Sequence, residues 1–184
     1  KTHRLPLMER AAAAGYDVHL ACPPGPFLSS FCERGITLHP LHEFNRSGMN
    51  PANEWKTLIE LYRLYGALKP HIVHHAALKP CLYGTFIARL KRVPLIINTF
   101  GGMGYIFTHN GIKTRLVRLC LIFLYRLLMK TRRVHVTVQN PDDYALSAAF
   151  ARPENHHLIR GSGVDLTAFP QTPLPPVHNR GPIG

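Results

Sequence analysis

The stretch His71–Gly84, HIVHHAALKPCLYG, holds the pattern on which the fold prediction rests. Its first five residues, through His75, form a short run typical of a β-strand. Ala76–Pro80 follows as a loop with the composition of a turn. Cys81–Leu90 then has the composition of a helix. A strand, a short loop and a helix in that order form the repeating unit of a parallel α/β sheet.

The same alternation of short apolar runs and amphipathic stretches continues along the whole chain. It predicts strands at Asp17–Cys22, Ile36–Leu41, His71–His75, Pro94–Thr99, Val134–Gln139 and His156–Arg160, and helices at Leu5–Ala14, Pro26–Arg34, Pro51–Leu68, Cys81–Leu90, Ile112–Lys130 and Pro141–Phe150. We therefore expect a Rossmann-like, doubly wound α/β fold with a mainly parallel sheet and helices on both faces. Such sheets normally open with a strand, whereas this chain opens on a helix, so we expect the first, central strand to be missing.

Composition narrows the class of protein and of partner. The 184 residues suffice for one domain, and 46% hydrophobic with 17% charged residues is typical of a globular protein. The 22 Lys and Arg outnumber the 10 Asp and Glu, which gives a formal charge of +12 that favours anionic partners. No zinc finger, RNP-type strand or helix-turn-helix pattern supports nucleic acid as that partner.

Cysteine and histidine usage indicates a reducing compartment without a metal centre. The four cysteines are scattered and form no C-x-x-C pair, so we expect a cytoplasmic protein. The twelve histidines are dispersed, and the adjacent His74 and His75 would point to opposite faces of a strand. We therefore expect neither a metal nor a cofactor. The first residues, through Arg4, have no apolar segment of a signal peptide behind them.

A basic, amphipathic helix is predicted at Ile112–Lys130. On a helical wheel five cations in and just after this segment fall within an arc of roughly 120°, and most of the remaining circumference is apolar. These cations are Arg115, Arg118, Arg126, Lys130 and Arg133. A core helix with one solvated face explains the pattern equally well, but the lack of a carboxylate on that face favours an anionic membrane surface. The longest uncharged run, Leu119–Tyr125, is too short to cross a bilayer.

The loops after the strands carry cations and glycines. In open α/β sheets ligands bind beyond the carboxyl ends of the strands, so these loops are predicted to meet along one edge of a single sheet. The residues expected to line the resulting cleft are His3, Arg4, Arg46, Ser47, Lys79, Gly101, Gly102, Gly104, Tyr105, Asn140, Arg160 and Gly161. Cations together with a glycine-rich turn indicate an anionic, hydroxylated ligand such as a sugar diphosphate.

Seven motifs in this order and spacing resemble a known family. They are THRLPL, GYDVHLACPP, FNRSGMNP, HIVHHAALKPCLYG, NTFGGMGY, QNPDD and LIRGSGVDLTAF, and together they span residues 2–169. The pattern is similar to the N-terminal half of family 4 (group 1) retaining glycosyltransferases with the two-domain GT-B fold. The similarity is greatest to members that build lipopolysaccharide, capsule or lipid-linked oligosaccharide.

This resemblance implies a domain organisation and an activity. Residues 1–169 would be the acceptor-binding Rossmann-like domain, and residues 170–184 a Pro/Gly-rich linker toward a donor-binding domain absent from the sequence. The whole enzyme would be a hexosyltransferase that moves a sugar from a nucleotide sugar, commonly UDP-linked, with retention of anomeric configuration. The acceptor would be a polysaccharide or a polyprenyl-diphosphate-linked saccharide at the inner face of the bacterial plasma membrane, where the enzyme would be peripherally bound.

Two other functions fit the same residues. A non-catalytic domain that docks on anionic membrane or on a partner would also explain the net charge and the basic helix. A GT-B sugar-nucleotide epimerase would share the architecture, although a soluble substrate does not require a membrane-suited helix. Because most donor contacts would lie on the second domain, we expect the 184-residue chain alone to be inactive in sugar transfer.

Overall fold

Strands and helices alternate in the computed structural model, which describes residues 4–25, 28–32, 34–45, 50–103 and 111–161. The strands are β1 (Val18–Cys22), β2 (Ile36–Pro40), β3 (Ile72–Ala76), β4 (Leu95–Phe100), β5 (Val134–Val138) and β6 (His156–Leu158). The helices are α1 (Leu5–Ala13), α2 (Ser29–Cys32), α3 (Pro51–Leu68), α4 (Leu78–Leu90), α5 (Ile112–Met129) and α6 (Pro141–Ser147), with a 3₁₀ turn at Pro153–Asn155. All six strands and six helices correspond to elements predicted from the sequence.

Every strand pair among the described residues is parallel, as the α/β prediction requires. The strands β3, β4, β5 and β6 form a four-stranded sheet in that order, whereas β1 and β2 form a separate two-stranded sheet. The expectation of one continuous sheet is therefore corrected, because no described segment bonds β1 to β3. The Rossmann-like α/β class is confirmed.

Asparagine caps begin α3 and α6, and in both helices a proline follows the cap. The Asn50 side chain accepts a hydrogen bond from the Ala52 amide at 3.0 Å, and Pro51 occupies the first helical position. Helix α4 begins at Leu78 rather than Cys81. Pro80 is tolerated there because amides of the first helical turn make no intrahelical hydrogen bond, so the amide hydrogen that proline lacks is not needed. Helix α6 ends at Ser147, before the predicted Phe150.

The main core lies on one face of the four-stranded sheet. Alternating residues of β5, such as Val134 and Val136, are fully buried there, and helices α4, α5 and α6 pack on the same face. Phe100, Tyr125 and Phe150 meet in this layer with ring centroids 5.1–5.8 Å apart. Such edge-to-face and tilted aromatic pairs each add about 0.5–1.5 kcal/mol beyond their buried area. The core thereby holds the carboxyl end of β4 against α5.

A buried polar chain crosses the same face and centres on His75. Its Nδ1 donates to Asn98 Oδ1 at 2.8 Å, and the Tyr65 hydroxyl donates to its Nε2 at 2.8 Å. Asn98 in turn donates to Thr85 Oγ1 at 2.8 Å. Burial lowers the pKa of His75 to about 4, so the ring is neutral at physiological pH. The neighbouring His74 lies on the opposite face of β3, as the sequence predicted, and its Nε2 is 2.7 Å from Thr99 Oγ1.

Candidate functional site

The carboxyl ends of β3, β4, β5 and β6 lie along one edge of the parallel sheet, here called the carboxyl edge. Four of the predicted cleft positions come within three residues of the ends of these strands: Lys79 in the first turn of α4 after β3, Gly101 after β4, Asn140 after β5 and Arg160 after β6. Parallel pairing places all four at the same edge, as we expected from the sequence. Five other predicted residues, His3, Arg46, Ser47, Gly104 and Tyr105, lie outside the described residues.

Arg4 carries a positive charge that reaches residues of β3 and α4. It precedes α1 and is half-buried, near enough to β3 and α4 for its charge to act on residues of both. Burial lowers the pKa of His74, and the Arg4 charge lowers it further. Burial raises the pKa of Cys81, and the same charge opposes that rise. Although burial lowers the pKa of Arg4 itself, a guanidinium stays protonated, so the charge is permanent.

Lys79 is held in an ion pair at the carboxyl edge. Its Nζ lies 2.6 Å from Glu54 Oε1 and donates to the Asn45 carbonyl at 3.0 Å. Burial raises the pKa of Tyr83, and a hydrogen bond to Glu54 raises it further. Lys79 thus ties α4 to α3 and to the loop after β2. Sequence reasoning identified this cation but did not identify its carboxylate partner.

A polar groove opens beyond the carboxyl ends of β1 and β2. It is lined by Pro23, His42, Glu43, Phe44, Asn45 and Asn53. The loop that forms one wall is fixed to α3, because the Glu60 carboxylate accepts from the amides of His42 (2.9 Å) and Glu43 (3.3 Å). The buried Thr57 hydroxyl donates to the Glu43 carbonyl at 2.8 Å. Planar amide, carboxylate and imidazole groups in one groove suit hydroxyl groups of a sugar.

The glycine-rich turn after β4 is anchored to α6. Met103 is buried, and its amide donates to Asp143 Oδ1 at 3.2 Å. Gly102 has φ +141°, a backbone conformation that side-chain-bearing residues rarely adopt. A Cβ at Gly101 would lie 3.7 Å from the Gln139 side chain, so the turn runs close to the end of β5. The buried Asp143 therefore orders the turn, a role that the sequence did not reveal.

Asn140 has a structural role at the start of α6. Its Oδ1 accepts from the Asp143 amide at 2.8 Å, and its Nδ2 donates to Asp143 Oδ2 at 2.7 Å. The side chain predicted to line the cleft thus caps α6 and orients the carboxylate that holds Met103. Arg160 and Gly161 follow β6 as exposed residues.

The predicted basic residues of α5 differ in their surroundings. Arg115, Arg126 and Lys130 are exposed, whereas Arg118 is half-buried and has an interaction partner. Arg133 lies beyond the helix, which ends at Met129. Across the described segments, every helix is too short or too polar to traverse a bilayer. The same segments hold no cluster of three or more His, Cys, Asp or Glu side chains placed for a metal ion.

Comparison with known proteins gives a family match over most of the chain. Residues 1–140 match the sequence family described as "Glycosyl transferase 4-like". The matched range includes Arg4, and it includes Lys79 and the glycine-rich turn at the carboxyl edge.

Two curated proteins are similar to the chain. The N,N'-diacetylbacillosaminyl-diphospho-undecaprenol alpha-1,3-N-acetylgalactosaminyltransferase of Campylobacter jejuni is 21% identical over 166 residues, covering 90% of this chain and 44% of that protein. The UDP-Gal:alpha-D-GlcNAc-diphosphoundecaprenol alpha-1,3-galactosyltransferase of Escherichia coli is 25% identical over 169 residues, covering 91% of this chain and 41% of that protein. The chain thus spans less than half the length of each.

Proposed function

The chain belongs to the glycosyl transferase 4-like family, and on that premise we propose that it is the acceptor-binding part of a retaining hexosyltransferase. The donor is a nucleotide sugar, UDP-linked, and the acceptor is a saccharide carried on a polyprenyl diphosphate. The observation that carries this proposal is that both similar enzymes are named for acceptors linked to undecaprenol through a diphosphate.

Arg4 supports binding of the acceptor's diphosphate. Its permanent charge is half-buried at the start of α1 and acts on His74 of β3 and Cys81 of α4. Guanidinium groups bind phosphate oxygens through paired hydrogen bonds, and the positive end of a helix dipole adds to the attraction. A partly desolvated arginine at this position therefore suits the charged link between lipid and sugar.

The polar groove supports binding of the saccharide. His42, Asn45 and Asn53 offer donors and acceptors in a groove whose wall is pinned to α3 by Glu60. Hydroxyl groups need both donors and acceptors, and a wall fixed in advance loses less entropy on binding. This arrangement favours a sugar ring over an apolar ligand.

In the proposed reaction, an acceptor hydroxyl oxygen bonds to the anomeric carbon of the donor as the bond from that carbon to the nucleotide diphosphate breaks. The hydroxyl proton leaves with the departing diphosphate, which carries away the electron pair. Backbone amides at Gly101 and Gly102 are suited to stabilise the developing charge, because Asp143 holds the turn that contains them. An α-linked product, as in the names of both similar enzymes, is expected when an α-linked UDP sugar reacts with retention.

Titration calorimetry with the 184-residue chain tests the proposal. The ligand is N-acetylglucosamine on a short polyprenyl diphosphate, compared with the same sugar on a polyprenyl monophosphate. We expect tighter binding of the diphosphate, and Arg4→Gln should weaken it roughly tenfold or more, as loss of a charge-assisted hydrogen bond does. The matched control is Arg10→Gln, at an exposed arginine of the last turn of α1.

Two results would contradict the proposal. Equal affinity of the Arg4→Gln and Arg10→Gln variants for the diphosphate would show that Arg4 does not bind it. Sugar transfer by the isolated chain would show that the chain carries the donor site as well, so that it is more than an acceptor-binding part.

A further inference from the structure

Three adjacent helices form one side of the molecule. Helix α4 contacts α3 on one flank and α5 on the other. All three pack on the same sheet face, through Tyr65 of α3 against His75, Thr85 of α4 against Asn98, and Tyr125 of α5 against Phe100. Their opposite sides therefore form a common outer surface, here called the outer helical face.

A continuous apolar stripe runs along α5 on this outer helical face. Leu116, Leu119, Phe123 and Leu127 recur at intervals of three or four residues, which places them on one side of the helix. These four side chains are 57–66% exposed. Neither a buried core helix nor an ordinary surface helix exposes such a stripe to water, because exposing large apolar groups costs free energy. The stripe therefore marks a surface that something covers.

A second stripe on α3 has the residue types found at membrane interfaces. Trp55, Ile59 and Tyr62 are exposed and follow one another at intervals of four and three residues. The two carboxylates of α3, Glu54 and Glu60, are turned away toward Lys79 and the groove wall. Tryptophan and tyrosine prefer the level of lipid headgroups, where an apolar ring and a polar group are both accommodated.

Positive charges border both stripes. Arg115 and Arg126 are exposed on α5, a helix without any acidic residue, and the exposed Lys130 follows its last residue. On the α3 side the Lys91 ammonium lies 3.3 Å from the centre of the Tyr62 ring. An apolar surface surrounded by cations is complementary to an anionic bilayer, whose charged headgroups lie directly above its hydrocarbon.

We propose that the outer helical face is a docking surface for an anionic lipid bilayer. The apolar stripes of α3 and α5 enter the interface, and the bordering cations contact lipid phosphates. The surface goes beyond the basic side of α5 expected from the sequence, because it includes α3 and is centred on exposed apolar groups. It deepens the proposed function by placing the carboxyl edge beside a membrane that holds a lipid-linked acceptor, but the docking itself requires no sugar transfer.

Trp55 allows a direct test, because it is the only tryptophan in the chain and is 65% exposed. The 184-residue chain is mixed with vesicles of phosphatidylcholine containing about one-third phosphatidylglycerol, and with pure phosphatidylcholine vesicles. We expect co-sedimentation and a blue shift of tryptophan emission with the anionic vesicles only. Binding should weaken as salt rises from about 0.1 M to about 0.5 M.

Matched variants separate the apolar contribution from the charged one. Leu119→Ser with Phe123→Ser should lower the vesicle partition coefficient at least about tenfold, since each buried apolar side chain adds to interfacial binding. Arg115→Gln with Arg126→Gln should lower it roughly fivefold per charge on anionic vesicles. The controls are Leu7→Ser and Arg10→Gln on α1, where Leu7 is 53% exposed and Arg10 is exposed. Circular dichroism verifies folding of each variant.

Three results would overturn the proposal. These are absence of co-sedimentation with anionic vesicles, co-sedimentation without a shift in Trp55 emission, and equal effects of the α5 and α1 variants. A blue shift that grows with protein concentration in the absence of lipid would assign the surface to a second copy of the chain instead. None of these results depends on sugar binding, so failure of this proposal and failure of the proposed function are distinguishable.

Discussion

Gly84 lies directly against the imidazole of His75, so close that a Cβ at position 84 would come within 2.3 Å of the ring Nε2. The ring is fixed by hydrogen bonds to Tyr65 and Asn98 and cannot move aside without breaking them. Gly84 is therefore required by the space between α4 and β3.

Gly84→Ala should destabilise the protein even though alanine favours a helix. Overpacking a buried site costs about 1–3 kcal/mol, and the gain in helix propensity of about 1 kcal/mol does not offset the added disruption of the His75 hydrogen bonds. We expect a net loss of about 2 kcal/mol, measured by urea denaturation.

Gly66→Ala is the matched control, in the neighbouring helix α3. A Cβ there would meet the end of the flexible Lys91 side chain at 3.0 Å, which can shift. The same substitution should therefore leave stability unchanged or raise it by up to about 1 kcal/mol. Equal losses at positions 66 and 84 would show that contact with His75 is not the cause.

Stability should fall on acidification because His75 is buried in its neutral form. Burial lowers its pKa from 6.5 to about 4, so the unfolded chain binds a proton between these pH values that the folded chain does not. The contribution of neutral His75 to the free energy of unfolding is complete above pH 6.5. It is lost progressively as pH falls toward 4, in total about 3 kcal/mol.

His75→Gln should flatten this dependence, and the exposed His71→Gln should not. Denaturation of each variant at about pH 7.5 and about pH 5 measures the difference in unfolding free energy. If the His75→Gln variant lost as much stability on acidification as the parent chain, burial of neutral His75 would not be the source of the effect.

Asp143→Ala should loosen the glycine-rich turn. It removes the acceptor of the buried Met103 amide, and an unsatisfied buried donor costs about 1–3 kcal/mol. We expect lower global stability and faster hydrogen exchange of the Met103 amide, measured by NMR. Asp142→Ala changes the exposed carboxylate one residue earlier in the same first turn and should leave that exchange rate unchanged.

Ala77→Gly should stabilise the protein. Ala77 has φ +79° and ψ 164°, a backbone conformation that glycine alone adopts without strain, and such strain costs about 1–3 kcal/mol. We expect a gain of about 1 kcal/mol by thermal or urea denaturation. At the adjacent strand residue, Ala76→Gly should instead lower stability by about 0.5–1 kcal/mol, because glycine loses more conformational entropy than alanine on folding. A loss at position 77 would refute the strain argument.

Local signals in the sequence predicted the elements of the fold well. The predicted starts of α3 at Pro51 and of α6 at Pro141 are confirmed, because a capping asparagine and a proline act over only a few residues. The division into two sheets was not predicted, because pairing between β1 and β3 depends on distant segments and leaves no local signal.

Strand order predicted where several of the expected cleft residues lie along the sheet, but not which residues they contact. Strand order alone sufficed to gather Lys79, Gly101 and Arg160 at one edge. The ion pair of Lys79 with Glu54 and the contact of Asp143 with Met103 join residues 25 and 40 positions apart. Their partners are chosen by tertiary packing, which periodicity and motif spacing do not report. The exposed stripe on α5 was likewise invisible, because the sequence does not show which apolar side of a helix is covered.

Because every strand pair within the described residues is parallel, that part of the chain offers no β-hairpin through which folding could start. His75 and Asn98, paired across β3 and β4, are 23 residues apart, and the whole of α4 must form between them. Each ladder therefore closes only after a long intervening segment has been synthesised and ordered. Folding of such a domain is slow, and its nascent strands remain open to misassociation while the ribosome is still adding their partners.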